Sequence, residues 1–200
     1  MNLGFDINDW NNTEAKEFGG FETLKLGGHE VVIKEASLYT SDISGNTSLK
    51  VEVDIAGNDE QKGFFQKQYD NNDNANKKWS NGATRYLSLK KESLAYTKGF
   101  ISALENSNNG FNFDTSKDWS QLKGLKCAGV FGLEEYEKED GTIGTATKLT
   151  QFRSLDKLSE IKIPKVKKLD GSYIEYENYN TNNNYTDNDI IEISGDQLPF

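Results

Sequence analysis

Two kinds of side chain in this 200-residue sequence could work together: aromatic rings and cations set close to one another. Lys62, Phe64, Phe65, Lys67 and Tyr69 form a first group, Lys77, Lys78, Trp79, Arg85 and Tyr86 a second, and Lys148, Phe152 and Arg153 a third. Such rings stack on unpaired bases, worth roughly 1–3 kcal/mol per base, while the cations neutralise phosphates. Every ring on a strand also has a competing role in a core. Trp79, between Lys78 and Ser80, is the first choice for a ring left free to stack.

Bond-making chemistry is poorly provided. His29 is the only histidine and follows Gly27-Gly28, where a turn or solvent-exposed role is expected; Cys127 is the only cysteine and sits in an apolar stretch that reads as core. One of each cannot assemble a zinc site or an activated cysteine nucleophile. Gly19-Gly20 and Gly27-Gly28 lack the Lys-Ser/Thr continuation of a phosphate loop. Asp54 and the pair Glu134-Glu135 read as ordinary carboxylates rather than metal ligands. The expectation is a binding protein with no catalytic residues, no metal and no cofactor.

The other chemical feature lies at the C-terminal end. Residues 169–200 contain no Lys or Arg but hold Asp170, Glu175, Glu177, Asp187, Asp189, Glu192 and Asp196. Of the formal net charge of −9, this segment accounts for −7, so the 168 residues before it carry −2. The overall charge therefore does not exclude a nucleic-acid partner for the body. Residues 178–188 are Asn/Tyr/Thr low complexity and should be disordered, since they offer little to bury against their ordering entropy. The chain then closes on Gly195-Asp196-Gln197-Leu198-Pro199-Phe200. A partner could bury the terminal ring and pair the free carboxylate with a cation, while Pro199 restricts the conformations lost on docking.

This end resembles the C-terminal tip of bacterial single-stranded DNA-binding proteins, where a flexible acidic tail finishes on Asp-Asp-(Ile or Leu)-Pro-Phe. Asp196, Leu198, Pro199 and Phe200 match, and Gln197 stands where the family carries an acid. The body is similar to phage-encoded single-stranded DNA-binding proteins in segments of the type Gly63-Phe64-Phe65, Lys78-Trp79 and Val130-Phe131-Gly132-Leu133-Glu134-Glu135-Tyr136. The resemblance implies binding and protection of single-stranded DNA during replication, recombination or repair, in the cytoplasm of a bacterial host. It also implies recruitment of replication or recombination proteins through Asp196, Leu198, Pro199 and Phe200, and it is compatible with a homo-oligomer. The competing reading takes Gln197-Leu198-Pro199-Phe200 as a sliding-clamp-type peptide on an adaptor that makes no direct DNA contact.

Hydrophobic residues make up 34% of the chain and charged residues 28%, which suits one globular domain with polar extensions. There is no run of about eighteen apolar residues for a membrane span. The first residues have neither the basic nor the apolar stretch of a secretory signal, and a single cysteine fits a reducing compartment. Residues 1–18 are polar and expected to be flexible. Strands are expected from Val31 to Tyr39, over 49–55 where Leu49, Val51, Val53 and Ile55 alternate, and over 63–69. A helix over 88–105 follows, capped by Ser88 or Ser93 and stopped in the cluster 106–110. Strands over 124–133 and 145–153 are joined at Glu139-Asp140-Gly141, a hairpin signal. Three strands, a helix and two strands is the order of an OB-fold, a mainly β, partly open five-stranded barrel. It is expected over 19–168, with a disordered acidic tail over 169–200.

Overall fold

Strict alternation of apolar residues builds the centre of the molecule. In the computed structural model, which describes residues 6–12 and 22–183, a short helix α1 (Ile7–Asn12) precedes strands β1 (Gly27–Thr40) and β2 (Thr47–Ile55). Helix α2 (Phe64–Asp70), strand β3 (Thr84–Ser88) and helix α3 (Leu94–Ser107) follow. Then come the hairpin strands β4 (Lys126–Glu137) and β5 (Ile143–Arg153), the short strands β6 (Val166–Lys167) and β7 (Tyr173–Ile174), and helix α4 (Tyr176–Asn183). The protein is mainly β, and all seven strands belong to one sheet.

The first five strands lie in the order β3-β2-β1-β4-β5, every neighbouring pair antiparallel. Val31 is paired with Ile55 on one side and Cys127 on the other, and Val32 with Asp54 and Lys126. The register shifts between Ile33 and Glu35, so Lys34 is an extra residue that bends β1. Past this bulge β1 continues with β2 alone. The sheet thereby curls until β3 and β5, at its two ends, come within 8 Å between Cα atoms. No ladder joins them, and the sheet stays open along that seam. One end of the seam is filled by the 3-10 turn Asn81–Ala83, where a Cβ on Gly82 would stand 2.8 Å from the carbonyl oxygen of Thr147. Only glycine allows that approach.

Inside the curl, Val31, Ile33, Leu49, Val51, Val53, Phe65, Phe131 and Leu149 are almost fully buried. Phe65 and Phe131 stack with centroids 5.8 Å apart, and Cys127 is buried among them as expected. Helix α3 covers this core with Thr97, Phe100, Ile101 and Leu104, one stripe at helical spacing. Asn108 ends it: the Asn108 side-chain amide donates to the carbonyls of Leu104 (2.7 Å) and Lys126 (2.8 Å) and accepts from Lys126 N–H (3.0 Å). One residue thus stops the helix and fixes the start of β4.

Four expectations are corrected. Residues 63–69 form helix α2, not a strand. Period-two spacing would put Phe64 and Phe65 on opposite faces, whereas a helix turns both inward, where they are 2% and 1% exposed. Gly63 opens it with φ 71°, and the buried Asp54 carboxylate accepts the Phe65 N–H at 3.1 Å. The strand that follows β2 in the sheet is instead Thr84–Ser88, so Ser88 ends a strand and α3 begins at Leu94, preceded by Ser93, which makes no side-chain cap bond. His29 is buried rather than exposed, with Nδ1 2.9 Å from Asp59 Oδ2 and Nε2 2.8 Å from the carbonyl oxygen of Lys25. Finally, the segment from 169 onward is not wholly a loose tail. β7 pairs with β6, and Tyr179 of α4 is buried against Leu133 and Val166.

Asp54 is the test of this arrangement, since its Oδ1 accepts from both Ile55 N–H (2.8 Å) and Phe65 N–H (3.1 Å) in a buried setting. Asp54→Ala is expected to lower the free energy of unfolding by about 1–3 kcal/mol. Asp54→Asn, which keeps an accepting oxygen, should lose less; urea denaturation of the three proteins compares them.

Candidate nucleic-acid interface

Strand β3 is five residues long and alternates between two surfaces. Its Tyr86 lies on the outer face of β1–β2–β3, opposite Lys50, which is in turn opposite Ser37. The adjacent row is Tyr39, Ser48 and Ser88. Tyr39 and Tyr86 are diagonal neighbours across β2, with ring centroids 5.0 Å apart at 58°, and remain 42% and 45% exposed. They border a shallow depression of about 590 Å³ whose other walls include Ser41, Asn46, Ser88 and Lys90. Burial pushes the Tyr86 hydroxyl above its ordinary value, so it stays neutral. Lys50 is pulled down by burial, but its hydrogen bond and charge pairing with Glu52 more than offset this and leave it raised.

Further along β1, the Lys34 ammonium lies 5.7 Å from the centre of the Trp79 ring. Trp79 is 5.7 Å from Tyr69, and the Lys77 ammonium stands 4.7 Å over Tyr69. The column is thus two neighbouring rings with a cation against each end. Trp79 is only half-exposed, since its indole N–H donates to the carbonyl of Val53 at 3.0 Å and its body packs on the core. It seals the end of the β2 edge beyond β3 as well as presenting a ring. Lys34 also donates to Gln66 at 3.0 Å, which ties β1 to α2.

The second surface is the seam between β3 and β5. Arg85, opposite the buried Val51, turns toward it, and so do Phe152 and Arg153 of β5. With α3 and the segment 154–173 they enclose a groove of about 940 Å³. Tyr96 and Tyr173 line it at 78% and 64% exposure, and Lys157, Lys165 and Lys167 lie on its walls. Lys165 is held by Glu175 (2.6 Å), Lys167 by Glu134 (3.7 Å) and Lys157 by Glu160 (3.5 Å). Among the described residues no carboxylate lies within 4.0 Å of the Arg85 or Arg153 guanidinium groups; Arg153 donates only to Gln151 at 3.1 Å.

The residues picked from sequence are therefore divided. Tyr86 occupies the outer face, Tyr69, Lys77 and Trp79 the column, and Arg85 and Arg153 the groove. Phe64 and Phe65 belong to the core and cannot stack on a ligand. Phe152 is mostly committed as well, with its ring 4.3 Å from Phe100 on the groove floor. Lys62 and Lys67 are exposed around α2, Lys67 within 3.9 Å of Glu22; Lys78 is exposed in the loop before Trp79. Lys148 is half-buried opposite Gly132 and lines neither surface. Asp196, Leu198, Pro199 and Phe200 lie outside the described residues.

Sequence reasoning missed Tyr39, Lys34, Lys50, Tyr96, Tyr173 and Lys157. Tyr39 was legible as a strand residue, but only the bulge at Lys34 fixes which face it takes. Tyr96 carried a signal: on α3 it is one residue off the buried stripe of Thr97, Phe100 and Leu104. No group of three or more His, Cys, Asp or Glu side chains placed to hold a metal occurs among the described residues, and no helix among them is long and apolar enough to cross a membrane. No protein-family model matches the chain, and no curated protein is significantly similar to it.

Lys148 offers a check on the electrostatics. Burial holds its ammonium below the ordinary lysine value of 10.5, with Glu134 pulling the other way. A folded-state pKa below the unfolded one means that the charge costs stability at neutral pH, and that the cost fades as pH rises through the folded pKa toward 10.5. Lys148→Met is thus expected to raise Tm at pH 7, by about 2–4 °C for each kcal/mol regained. Thermal melts should find that gain shrinking as the pH approaches 10.5.

Proposed function

We propose that this protein binds single-stranded DNA, with bases stacking on the outer face of β1–β2–β3. The observation that carries the reading is the exposed Tyr39–Tyr86 pair beside Lys50 on a sheet face. Beyond their contact with each other, the two rings keep 42% and 45% of their surface open on a β-face, and stacking on bases suits that surface. The strand order β3-β2-β1-β4-β5, with α3 between β3 and β4, supports reading the open, curled sheet as an OB-fold. In that architecture the face of the second and third strands takes oligonucleotides, and here that face is β2–β3. The column of Lys34, Trp79, Tyr69 and Lys77 extends the same face toward α2.

On this reading the chain coats and protects single strands during replication, recombination or repair, and catalyses nothing. The tip residues Asp196, Leu198, Pro199 and Phe200 recruit other replication or recombination proteins, through the ring and carboxylate chemistry described above. Glu35 and Glu52, which face each other on the same surface, favour the rival reading of a protein-binding adaptor.

Titration of an oligothymidine, read by fluorescence anisotropy, separates the two. Tyr39→Ala and Tyr86→Ala should each weaken binding by about five- to hundredfold, the equivalent of one stacked base, with little change for a matched duplex. If the unaltered protein shows no preference for the single strand, the DNA reading fails and the adaptor stands. Removing residues 184–200 should leave DNA affinity unchanged or raise it, because that segment brings only negative charge. A large loss on that truncation would refute the division of labour between body and tail.

A further inference from the structure

The groove along the β3–β5 seam has no part in the stacking face, yet its chemistry suits the same ligand. Arg85 and Arg153 border it without a carboxylate within 4.0 Å among the described residues, and Lys157 adds a third cation. A guanidinium left without a carboxylate beside a groove suits a phosphate. Tyr96 and Tyr173, 78% and 64% exposed, supply rings for bases. Glu134 is the one carboxylate lining the groove, and Lys167 lies 3.7 Å from it. The balance of charge favours a polyanion over an acidic protein surface with few phosphate-like groups.

We infer that this groove is a second contact surface for the same single strand, reached by crossing the edge of β3. The inference rests on the stacking-face reading for the first contact. Its geometric basis is the alternation of β3: Tyr86 points to the outer face and the neighbouring Arg85 to the groove. Because β3 is an edge strand of five residues with no partner on its free side among the described residues, no described strand of the sheet blocks the crossing. A strand whose bases stack on Tyr39 and Tyr86 bends over this edge and lays its phosphates against Arg85, Arg153 and Lys157. The occupied site is then longer than the outer face alone.

Length dependence tests this. Oligothymidines of about five and about sixteen nucleotides span the range of sites that one such domain covers. Arg153→Gln combined with Lys157→Gln alters two exposed side chains and should not disturb folding, which circular dichroism verifies; Arg85→Gln is the second variant. Each is expected to leave the affinity for the short oligonucleotide unchanged and to weaken the long one by about tenfold. The double variant should also flatten the slope of log K against log salt for the long oligonucleotide by about 0.7 to 1.4, one full phosphate contact from Arg153 and a smaller one from Lys157, which must leave Glu160. Equal losses at both lengths would overturn the proposal by placing these cations in the first contact. No loss at the longer length would overturn it too, and would leave the groove to another occupant such as an acidic peptide. The stacking face fails separately: Tyr39→Ala with Tyr86→Ala would leave short-oligonucleotide binding intact, whatever the groove variants do.

Discussion

Val31 and Val32 are paired on both sides at once, with β2 and with β4, and the rest of the molecule follows from that double engagement. A strand shared in this way cannot lie in a flat sheet once it carries an extra residue at Lys34. The bulge increases local twist, so the β2–β3 arm and the β4–β5 arm turn toward each other and enclose the core between them. Ile33 and Ala36, on either side of the bulge, both face inward, which strict alternation would not allow. The bulge therefore sets the phase of everything beyond it. Tyr39 reaches the outer face because of one inserted residue in the middle of β1.

The seam follows from the same curl. The arms meet at β3 and β5 without hydrogen bonding, and the space between them is occupied unevenly. At one end the turn Asn81–Ala83 fits against β5 because Gly82 has no Cβ. Elsewhere α3 lies beneath, contributing Phe100 against Phe152, and the groove opens above those rings. An open seam would ordinarily expose two strand edges to unwanted pairing. Here the brevity of β3, the single charge of Arg85 and the polar Thr84 and Ser88 at its two ends keep that edge unattractive to another strand.

The elements legible in the sequence are those whose burial pattern is regular. β2 alternates cleanly, β4 and β5 flank an Asp-Gly turn, and α3 carries an uninterrupted stripe. α2 was illegible because its two phenylalanines are adjacent and aromatic, features that suggest a strand. Deciding against the strand required Asp54, eleven residues before Phe65, to supply a cap across space. β3 was illegible because five residues with one buried leucine have too little pattern, and their pairing with β2 is what defines them. In the tail, acidic and Asn-rich composition hid Tyr179, a single ring whose burial against Leu133 and Val166 anchors α4. Of the candidate site, Tyr86, Trp79, Arg85 and Arg153 could be read as aromatic or basic residues outside a core pattern. Their distribution over two surfaces could not, since it depends on which way β3 alternates.

Charge shows the same limit. A net charge of −9 says little about any one surface, because many of the carboxylates are engaged locally. Lys126 and Glu30, Lys50 and Glu52, Lys165 and Glu175, and Lys167 and Glu134 are neighbours in space. The more open of these, Lys165–Glu175 and Lys167–Glu134, contribute little to stability, about 0–1 kcal/mol each. Their weakness matters for a polyanionic ligand: a phosphate can take over such a lysine at small cost to the fold, whereas Arg85 and Arg153 have no carboxylate among the described residues to give up. The paired lysines and the free arginines thus divide the work that ionic strength would reveal. At a paired lysine the carboxylate left behind takes up a cation as the phosphate sheds one, so contacts made by exchange release fewer ions net than contacts made by unpaired cations. On the proposed reading, the salt dependence of binding is accordingly set by the groove more than by the stacking face, although the face holds the bases.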